Sequence, residues 1–163
     1  MIFVTVGTIL PFDRLAQALD EWAAAQENPP KLFAQVGDLQ PHSYRPKSFD
    51  WTERVSPMEF RAYVAAADLV ITHAGIGTIV TALTHSKPVL MMPRRAALRE
   101  HVNDHQLETV KHFADRPGVT VAMEADELRS CLEFLLSGSE TVPTLGPDAQ
   151  ENLITAIRSI IHG

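Results

Sequence analysis

Two groups of residues have the types and the spacing to bind phosphate and sugar groups. The first is the segment His73-Ala74-Gly75-Ile76-Gly77-Thr78, which follows the apolar run Leu69–Thr72. A strand that ends in a glycine-rich turn and opens a helix brings free backbone N–H groups to the positive end of the helix dipole, where a phosphate binds well. Glycines also permit a plain tight turn, and the residues alone leave these two interpretations balanced.

The second group is a polar cluster that follows the apolar run Pro88–Met92. Its members are Glu100, His101, Asn103, Asp104, His105 and Gln106. Asn103 or Asp104 could cap a helix that begins there, but the density of hydrogen-bonding groups favours ribose hydroxyls, a sugar or a diphosphate. The spacing of His101 and His105 would suit a metal ion on one helical face, yet no third ligand of fitting spacing follows, so a metal site is disfavoured.

Two shorter features could contribute to the same site. Gly7-Thr8 ends the first apolar run and allows close approach of a ligand, although a plain turn explains it at least as well. Arg94-Arg95 could neutralise a phosphate or form a solvated loop charge. A P-loop is excluded because no Gly-Lys-Ser/Thr follows the glycines, and a dinucleotide fingerprint is weakly matched. A serine nucleophile elbow is not found either.

The elements around these groups alternate between strands and helices. Strands are predicted over Ile2–Val6, Leu32–Val36, part of 49–55, Leu69–Thr72, Pro88–Met92 and Val119–Ala122. Helices are predicted from Asp13 to Gln26, from Pro57 to Ala67, and over Gly77–His85, Asn103–Ala114, Glu124–Leu136 and Pro147–Ile161. Continuous apolar strands are typical of a parallel sheet covered on both faces, so we predict an α/β, doubly wound, Rossmann-like fold. In such sheets ligands bind beyond the carboxyl ends of the strands, where Gly7, His73–Thr78 and the loop from Pro93 to His105 fall.

Length and composition narrow the function further. The 163 residues, 45% hydrophobic and 21% charged, predict a single domain over residues 1–163. A net charge of −6 disfavours nucleic-acid binding, which normally needs a basic surface. The single cysteine, Cys131, has no internal disulfide partner, which favours a reducing compartment, and it is expected in the core. We expect no signal peptide and no membrane-spanning segment.

The ordered set of motifs resembles a known family. It resembles the PssE-type glycosyltransferase subunits of bacteria and, beyond them, the glycosyltransferase family 28 C-terminal domains related to MurG. It is also similar to the soluble subunit of the eukaryotic two-subunit N-acetylglucosamine transferase. The resemblance covers about residues 1–136 and is carried by Ile2–Thr8, Pro11–Leu15, His73–Thr78, Lys87–Val89, Pro93–Arg95 and Asn103–Leu107.

The resemblance implies the donor-binding half of a GT-B fold, in a split, inverting, metal-independent glycosyltransferase. Such a chain would bind a UDP-sugar and transfer a hexose or hexose derivative in surface or exopolysaccharide synthesis. Its partner would be a membrane-anchored acceptor-binding subunit of the PssD type, and the acceptor a polyprenyl-diphosphate-linked saccharide. No cofactor or metal is expected, and the implied location is cytoplasmic, peripheral at the inner face of the plasma membrane through the partner.

The resemblance also assigns roles to residues. Gly75–Thr78 would hold the donor diphosphate, and Gly7-Thr8 would line the cleft between the subunits. Asp104 and His105 are the catalytic candidates and, with Gln106, would face the sugar and the nearby phosphate. The segment Glu53–Ser56 would offer backbone groups to the base. The general base would lie on the partner subunit.

One position departs from the family pattern. Many relatives carry a Glu on the helix after the glycine loop, where it can bond the ribose, and this chain has Thr81 there. Ribose recognition would then pass to Glu100 or to the group Asp104–Gln106. The departure keeps open an alternative function, that of a non-catalytic stabilising or activating partner of another transferase. A self-contained nucleotide-sugar hydrolase or epimerase is a weaker third hypothesis.

Overall fold

The buried strands of the chain pair side by side in one six-stranded parallel sheet, as the sequence predicts. The computed structural model describes residues 1–138. Its strands are β1 (Ile2–Thr5), β2 (Leu32–Gln35), β3 (Asp50–Thr52), β4 (Leu69–His73), β5 (Val89–Met92) and β6 (Val119–Val121). Their order across the sheet is β3-β2-β1-β4-β5-β6, so the first strand of the chain lies in the middle. This order is that of a doubly wound, Rossmann-like sheet, and the predicted fold class is confirmed.

Helices cover both faces of this sheet. They are α1 (Asp13–Ala24), α2 (Pro57–Ala66), α3 (Ile76–Thr84), α4 (His105–Phe113) and α5 (Ala125–Leu136), with a short 3-10 helix over Ala96–Leu98. Side chains of β1 alternate between two cores, because successive residues of a strand point to opposite faces. Ile2 and Val4 pack with α1 and α5, whereas Phe3 packs on the other face with α2, α3 and Phe113 of α4.

The strand order places two turns next to each other. β1 pairs with β2 on one side and with β4 on the other, and Thr5 lies in register with Thr72. The chain therefore reverses its winding direction between β1 and β4. A crevice opens at such a switch point, at the carboxyl ends of the strands. Gly7 follows β1, and the segment His73–Thr78 leads from the last residue of β4 into α3. The two glycine turns therefore face the same crevice.

The start of α2 follows from its sequence. Ser56 Oγ accepts a hydrogen bond from the Glu59 N–H at 3.2 Å, and Glu59 Oε2 accepts one from the Ser56 N–H at 2.8 Å. This reciprocal pair is a capping box, with Pro57 in the first turn, where its missing N–H costs nothing. Because α2 begins here, the chain after β3 is held at the edge of the crevice.

The beginning of α4 differs from the prediction. The helix starts at His105, two residues later than predicted, and the two preceding side chains each form a hydrogen bond with the backbone. Asn103 Oδ1 accepts from the His105 N–H at 3.3 Å, and Asp104 Oδ1 accepts from the Ala96 N–H at 2.8 Å. Asp104 occupies the N-cap position, as one of the two predicted alternatives has it, but its side chain forms no cap hydrogen bond with the helix.

The 3-10 helix over Ala96–Leu98 was not anticipated, and the helix predicted over Pro147–Ile161 lies outside the described residues. Within residues 1–138, no helix has the length and apolar character to cross a bilayer.

Replacing Ser56 by Ala removes the side-chain cap of α2. We expect the free energy of unfolding to fall by about 1 kcal/mol in urea titrations. Ser130→Ala, in the exposed interior of α5, makes the same chemical change without a cap and should be neutral or slightly stabilising. Equal losses in the two variants would show that the capping box does not stabilise α2.

Candidate functional site

The turn after β1 is held open by buried polar side chains beneath it. Gln35 Nε2 donates to the Gly7 carbonyl at 2.8 Å, and the Gly7 N–H donates to Thr5 Oγ1 at 3.3 Å. Gly7 itself has φ +89°, a backbone conformation that favours glycine. Sequence reasoning missed Gln35. Its signal was an amide at the end of an otherwise apolar strand, where burial requires a fixed partner.

The imidazole of His73 lies between the two glycine turns. A Cβ added at Gly75 would come within 2.3 Å of His73 Nε2, and one added at Gly7 within 3.3 Å of His73 Cε1. The glycines therefore make room for this ring, in addition to permitting the turns. Burial, followed by the positive charge of Arg94, lowers the pKa of His73 to about 4, so the ring is neutral at pH 7.

The amino end of α3 is open towards the crevice. Gly75 is its N-cap and has no side chain to cap the helix, so the N–H groups of the first turn, at Ile76, Gly77 and Thr78, have no intrahelical partner. A Cβ at Gly77 would meet no atom within 4 Å. Three oriented N–H groups and the positive end of the helix dipole thus face free space. This arrangement suits an anion such as a phosphate.

A cavity of about 420 Å³, the crevice pocket, lies where these groups meet. It runs between the amino ends of α2 and α3 and beneath the β1 turn. Its described lining residues are Thr5, Gly7, Thr8, Gln35, Val55, Pro57, Phe60, Arg61, Gly77, Thr78 and Thr81. The pocket thus combines both glycine turns with Val55, which belongs to the segment expected to face the base. Ala74 is buried in the core beneath it.

Arg94 does not occupy the position expected of it. Its side chain is buried, and Nη2 donates to the carbonyls of Val6 and Leu10 at 2.9 and 2.7 Å, whereas Nη1 donates to those of Pro11 and Glu100 at 2.6 and 3.4 Å. Burial lowers the pKa of Arg94 to about 10, so it remains charged at pH 7. Arg94 is therefore neither a solvated loop charge nor a free cation for a phosphate. It fixes the β1 turn from below.

Glu100 and Gln106 are likewise committed to the protein. The Glu100 carboxylate accepts two hydrogen bonds from Arg14, at 2.7 and 2.9 Å, and one from the Arg95 N–H at 2.9 Å. Gln106 is buried, and its Oε1 accepts from the Arg94 N–H at 2.9 Å. The expectation that Glu100 recognises a ribose is wrong, because its oxygens already hold the loop after β5. Gln106 positions the same loop.

Three remaining members of the polar cluster contact one another; they are His101, Asn103 and His105. His105 is exposed, its Nδ1 pairs with Asn103 Oδ1, and its ring meets that of His101 edge-to-face with centroids 4.5 Å apart. His101 Nδ1 is buried and has no hydrogen-bond partner among residues 1–138. Both rings contribute to the electrostatic environment of His73, so the two groups of the sequence analysis converge. Burial, and then the neighbouring His101, lowers the pKa of His105.

No group of three potential His, Cys, Asp or Glu ligands surrounds a common point among residues 1–138. Cys131 is half-buried against the core of α1 and α5. Burial, followed by the nearby Glu127, raises the pKa of its thiol. A raised pKa keeps the thiol protonated, so its placement agrees with the expected structural role.

The fold is of the Rossmann-like type found in GT-B glycosyltransferases. Family comparison shows that the chain belongs to the glycosyltransferase family 28 C-terminal domain, whose model matches residues 1–155. A curated relative is the UDP-N-acetylglucosamine transferase subunit ALG13 of Debaryomyces hansenii, 30% identical over 101 residues. The match covers 62% of this chain and 46% of that relative, so less than half of the relative is represented.

Solved structures agree on the fold. The solution structure of ALG13 superposes with a TM-score of 0.62 at 16% identity and covers 98% of this chain and 96% of its own. MurG of Acinetobacter baumannii superposes with a TM-score of 0.59 at 19% identity, covering 99% of this chain and 45% of its own. The chain thus corresponds to the whole of one solved protein and to less than half of the other.

Removing the Arg94 guanidinium should destabilise the protein. In Arg94→Met the buried carbonyls of Val6, Leu10 and Pro11 lose their donor, and we expect the free energy of unfolding to fall by at least about 2 kcal/mol. Arg99→Met changes an exposed arginine of the same loop and should stay within about 0.5 kcal/mol of the parent. If urea titrations gave similar values for both variants, the bracing role of Arg94 would be refuted.

The two glycines of the β4 turn should respond in opposite ways to alanine. Gly75→Ala places a methyl group against the His73 ring, and we expect a loss of about 1–3 kcal/mol in stability. Gly77→Ala adds a methyl group in open space inside a helix, so it should be neutral or stabilising by up to about 1 kcal/mol. Thermal unfolding of both variants measures the difference, and a destabilised Gly77→Ala would contradict the open site.

Proposed function

We propose that this chain is the donor-binding subunit of a split, inverting glycosyltransferase. It binds a UDP-sugar in the crevice pocket and acts together with a separate acceptor-binding subunit of the PssD type. The transferred group is a hexose or a hexose derivative, and the acceptor is a polyprenyl-diphosphate-linked saccharide of surface or exopolysaccharide synthesis. In this proposal the chain is PssE-like, cytoplasmic, and peripheral to the membrane through its partner.

The observation that carries the proposal is the uncapped amino end of α3 opposite the Gly7 turn. During transfer the bond between the anomeric carbon and the diphosphate oxygen breaks, and the departing UDP gains negative charge. The N–H groups of Ile76, Gly77 and Thr78 are already oriented and can stabilise that charge without rearrangement. Their contribution needs no metal ion, which is consistent with the expectation of a metal-independent enzyme.

His105 suits the sugar better than the phosphate. The oxygen of the Asn103 amide only accepts hydrogen bonds, so the Nδ1 that pairs with it carries the proton. Nε2 of the neutral ring is then an acceptor. It can accept a hydrogen bond from a sugar hydroxyl, and its lone pair repels a phosphate oxygen. Asp104 holds the Ala96 N–H with one carboxylate oxygen and leaves the other for the ligand.

A second subunit supplies what the crevice lacks. The pocket is open, and the general base that deprotonates the acceptor belongs in this proposal to the partner. Support comes from the curated relative, which is itself named as a subunit of a UDP-N-acetylglucosamine transferase. UDP-N-acetylglucosamine is accordingly the first donor to test.

Calorimetry with UDP and UDP-sugars tests the proposal directly. The isolated chain should bind UDP, and it should transfer sugar only when it is combined with its acceptor-binding partner. A folded chain that binds neither UDP nor any UDP-sugar would overturn the proposal.

Gly77→Leu sharpens this test. The leucine side chain would extend into the crevice pocket, so UDP affinity should fall at least tenfold while the melting temperature stays within a few degrees of the parent. Thr84→Leu, one turn beyond the pocket on α3, is the control and should bind UDP normally. Unchanged UDP affinity in Gly77→Leu would place the diphosphate elsewhere.

Thr81 favours a second candidate function, a non-catalytic partner that stabilises or activates another transferase. A threonine at this position gives the pocket wall no carboxylate here. The Thr81 hydroxyl donates to the Gly77 carbonyl at 2.7 Å. His105→Ala separates the two functions. Transfer by the reconstituted complex should fall at least tenfold if the chain binds the donor sugar, and it should stay at the parent level if the chain only stabilises its partner.

A further inference from the structure

The side chains that line the crevice pocket differ in what they can offer to a ligand. Gln35 and Thr5 are both buried. Gln35 donates to the Gly7 carbonyl, and Thr5 accepts from the Gly7 N–H. Neither side chain is free to turn towards a ligand without releasing the β1 turn. The other groups that line the pocket and can contact a ligand are backbone N–H groups, the neutral hydroxyls of Thr8 and Thr78, and polar side chains of α2 and α3.

On α3 the relevant side chain is that of Thr81. It lies one turn beyond Gly77, on the same face of the helix, and both residues line the pocket. The Thr81 hydroxyl donates to the Gly77 carbonyl at 2.7 Å, so its proton is used within the helix. What remains is a neutral oxygen, which accepts a hydrogen bond more weakly than a carboxylate does.

On α2 the relevant side chain is that of Arg61. It lies one turn beyond Pro57, is exposed, and forms no hydrogen bond or ion pair with the described residues. Arg61 is the only charged residue among the described residues that line the pocket. A cation beside two helix amino ends attracts the phosphates of a nucleotide, and this attraction does not depend on the hydroxyls of the ribose.

We propose that the crevice pocket does not select for the 2′-hydroxyl of the nucleotide, so that ribonucleoside and 2′-deoxyribonucleoside diphosphates bind to it almost equally. This inference rests on the proposed function. Recognition of a ribose 2′-hydroxyl in nucleotide sites typically uses an Asp or Glu, because a carboxylate accepts strongly. In this pocket Thr81 supplies only a neutral acceptor, and Arg61 directs the binding free energy towards the phosphates.

Titration calorimetry with UDP and 2′-deoxy-UDP tests the inference. The two dissociation constants should agree within fivefold for the unmodified chain. Thr81→Glu introduces a strong acceptor at the pocket wall. It should raise the preference for UDP over 2′-deoxy-UDP to about tenfold or more, because the free energy of a hydrogen bond to a charged group corresponds to such a ratio of dissociation constants. Thr84→Glu makes the same change one turn away, at an exposed threonine that also donates to a helix carbonyl, and should leave the ratio unchanged.

The outcomes separate this inference from the function on which it rests. A preference of more than fivefold for UDP in the unmodified chain would overturn the inference while leaving UDP binding intact. A ratio that does not change in Thr81→Glu, in a variant shown to be folded by circular dichroism, would also overturn it. Binding of neither nucleotide to the folded chain would reject the proposed function itself.

Discussion

A buried positive charge governs the architecture of the crevice. Removing a guanidinium from water is costly unless its donors are directed at acceptors, and both Nη groups of Arg94 donate to carbonyls of the β1 turn and of the loop after β5. The loop is held in turn by Gln106, whose amide oxygen accepts the Arg94 N–H, and by the pair of Arg14 with Glu100. Two segments that would otherwise move independently are thereby fixed at the switch point of the sheet.

The sequence predicted the framework around that crevice well, because the framework follows from local rules. Apolar runs indicate buried strands, helical periodicity indicates the helices between them, and alternation of the two implies a parallel sheet. The glycines of the β4 turn mark the point where a strand opens a helix. The alternating pattern also predicted that Gly7 and this turn lie at the same edge of the sheet, and the strand order shows that they follow neighbouring strands.

The sequence could not tell a ligand-binding side chain from a structural one. Arg94, Glu100 and Gln106 are residue types that bind nucleotides and sugars, and they lie in a loop at the correct edge of the sheet. Their partners decide their role, and those partners are distant in sequence, such as Arg14, which lies 86 residues before Glu100. Hydrogen bonds of this kind depend on tertiary packing and leave no local pattern. Gln35 was overlooked for the same reason, since its partner is the Gly7 carbonyl.

Backbone groups and side chains have different roles in the proposed site, and this difference explains why one part of the site was predictable and another was not. In the proposed function, the phosphate position depends on N–H groups of α3, which any sequence that forms this turn and helix will present. In the same proposal, selectivity for ribose and sugar depends on side chains such as Thr81 and His105, and a single substitution can change it while the phosphate position stays in place. The net charge of −6 does not oppose this proposal, because the charge that would face the diphosphate comes from helix ends and from Arg61, and not from the protein as a whole. A substitution at position 81 should thus alter which nucleotide is bound, whereas a substitution at position 61 should weaken the binding of all of them.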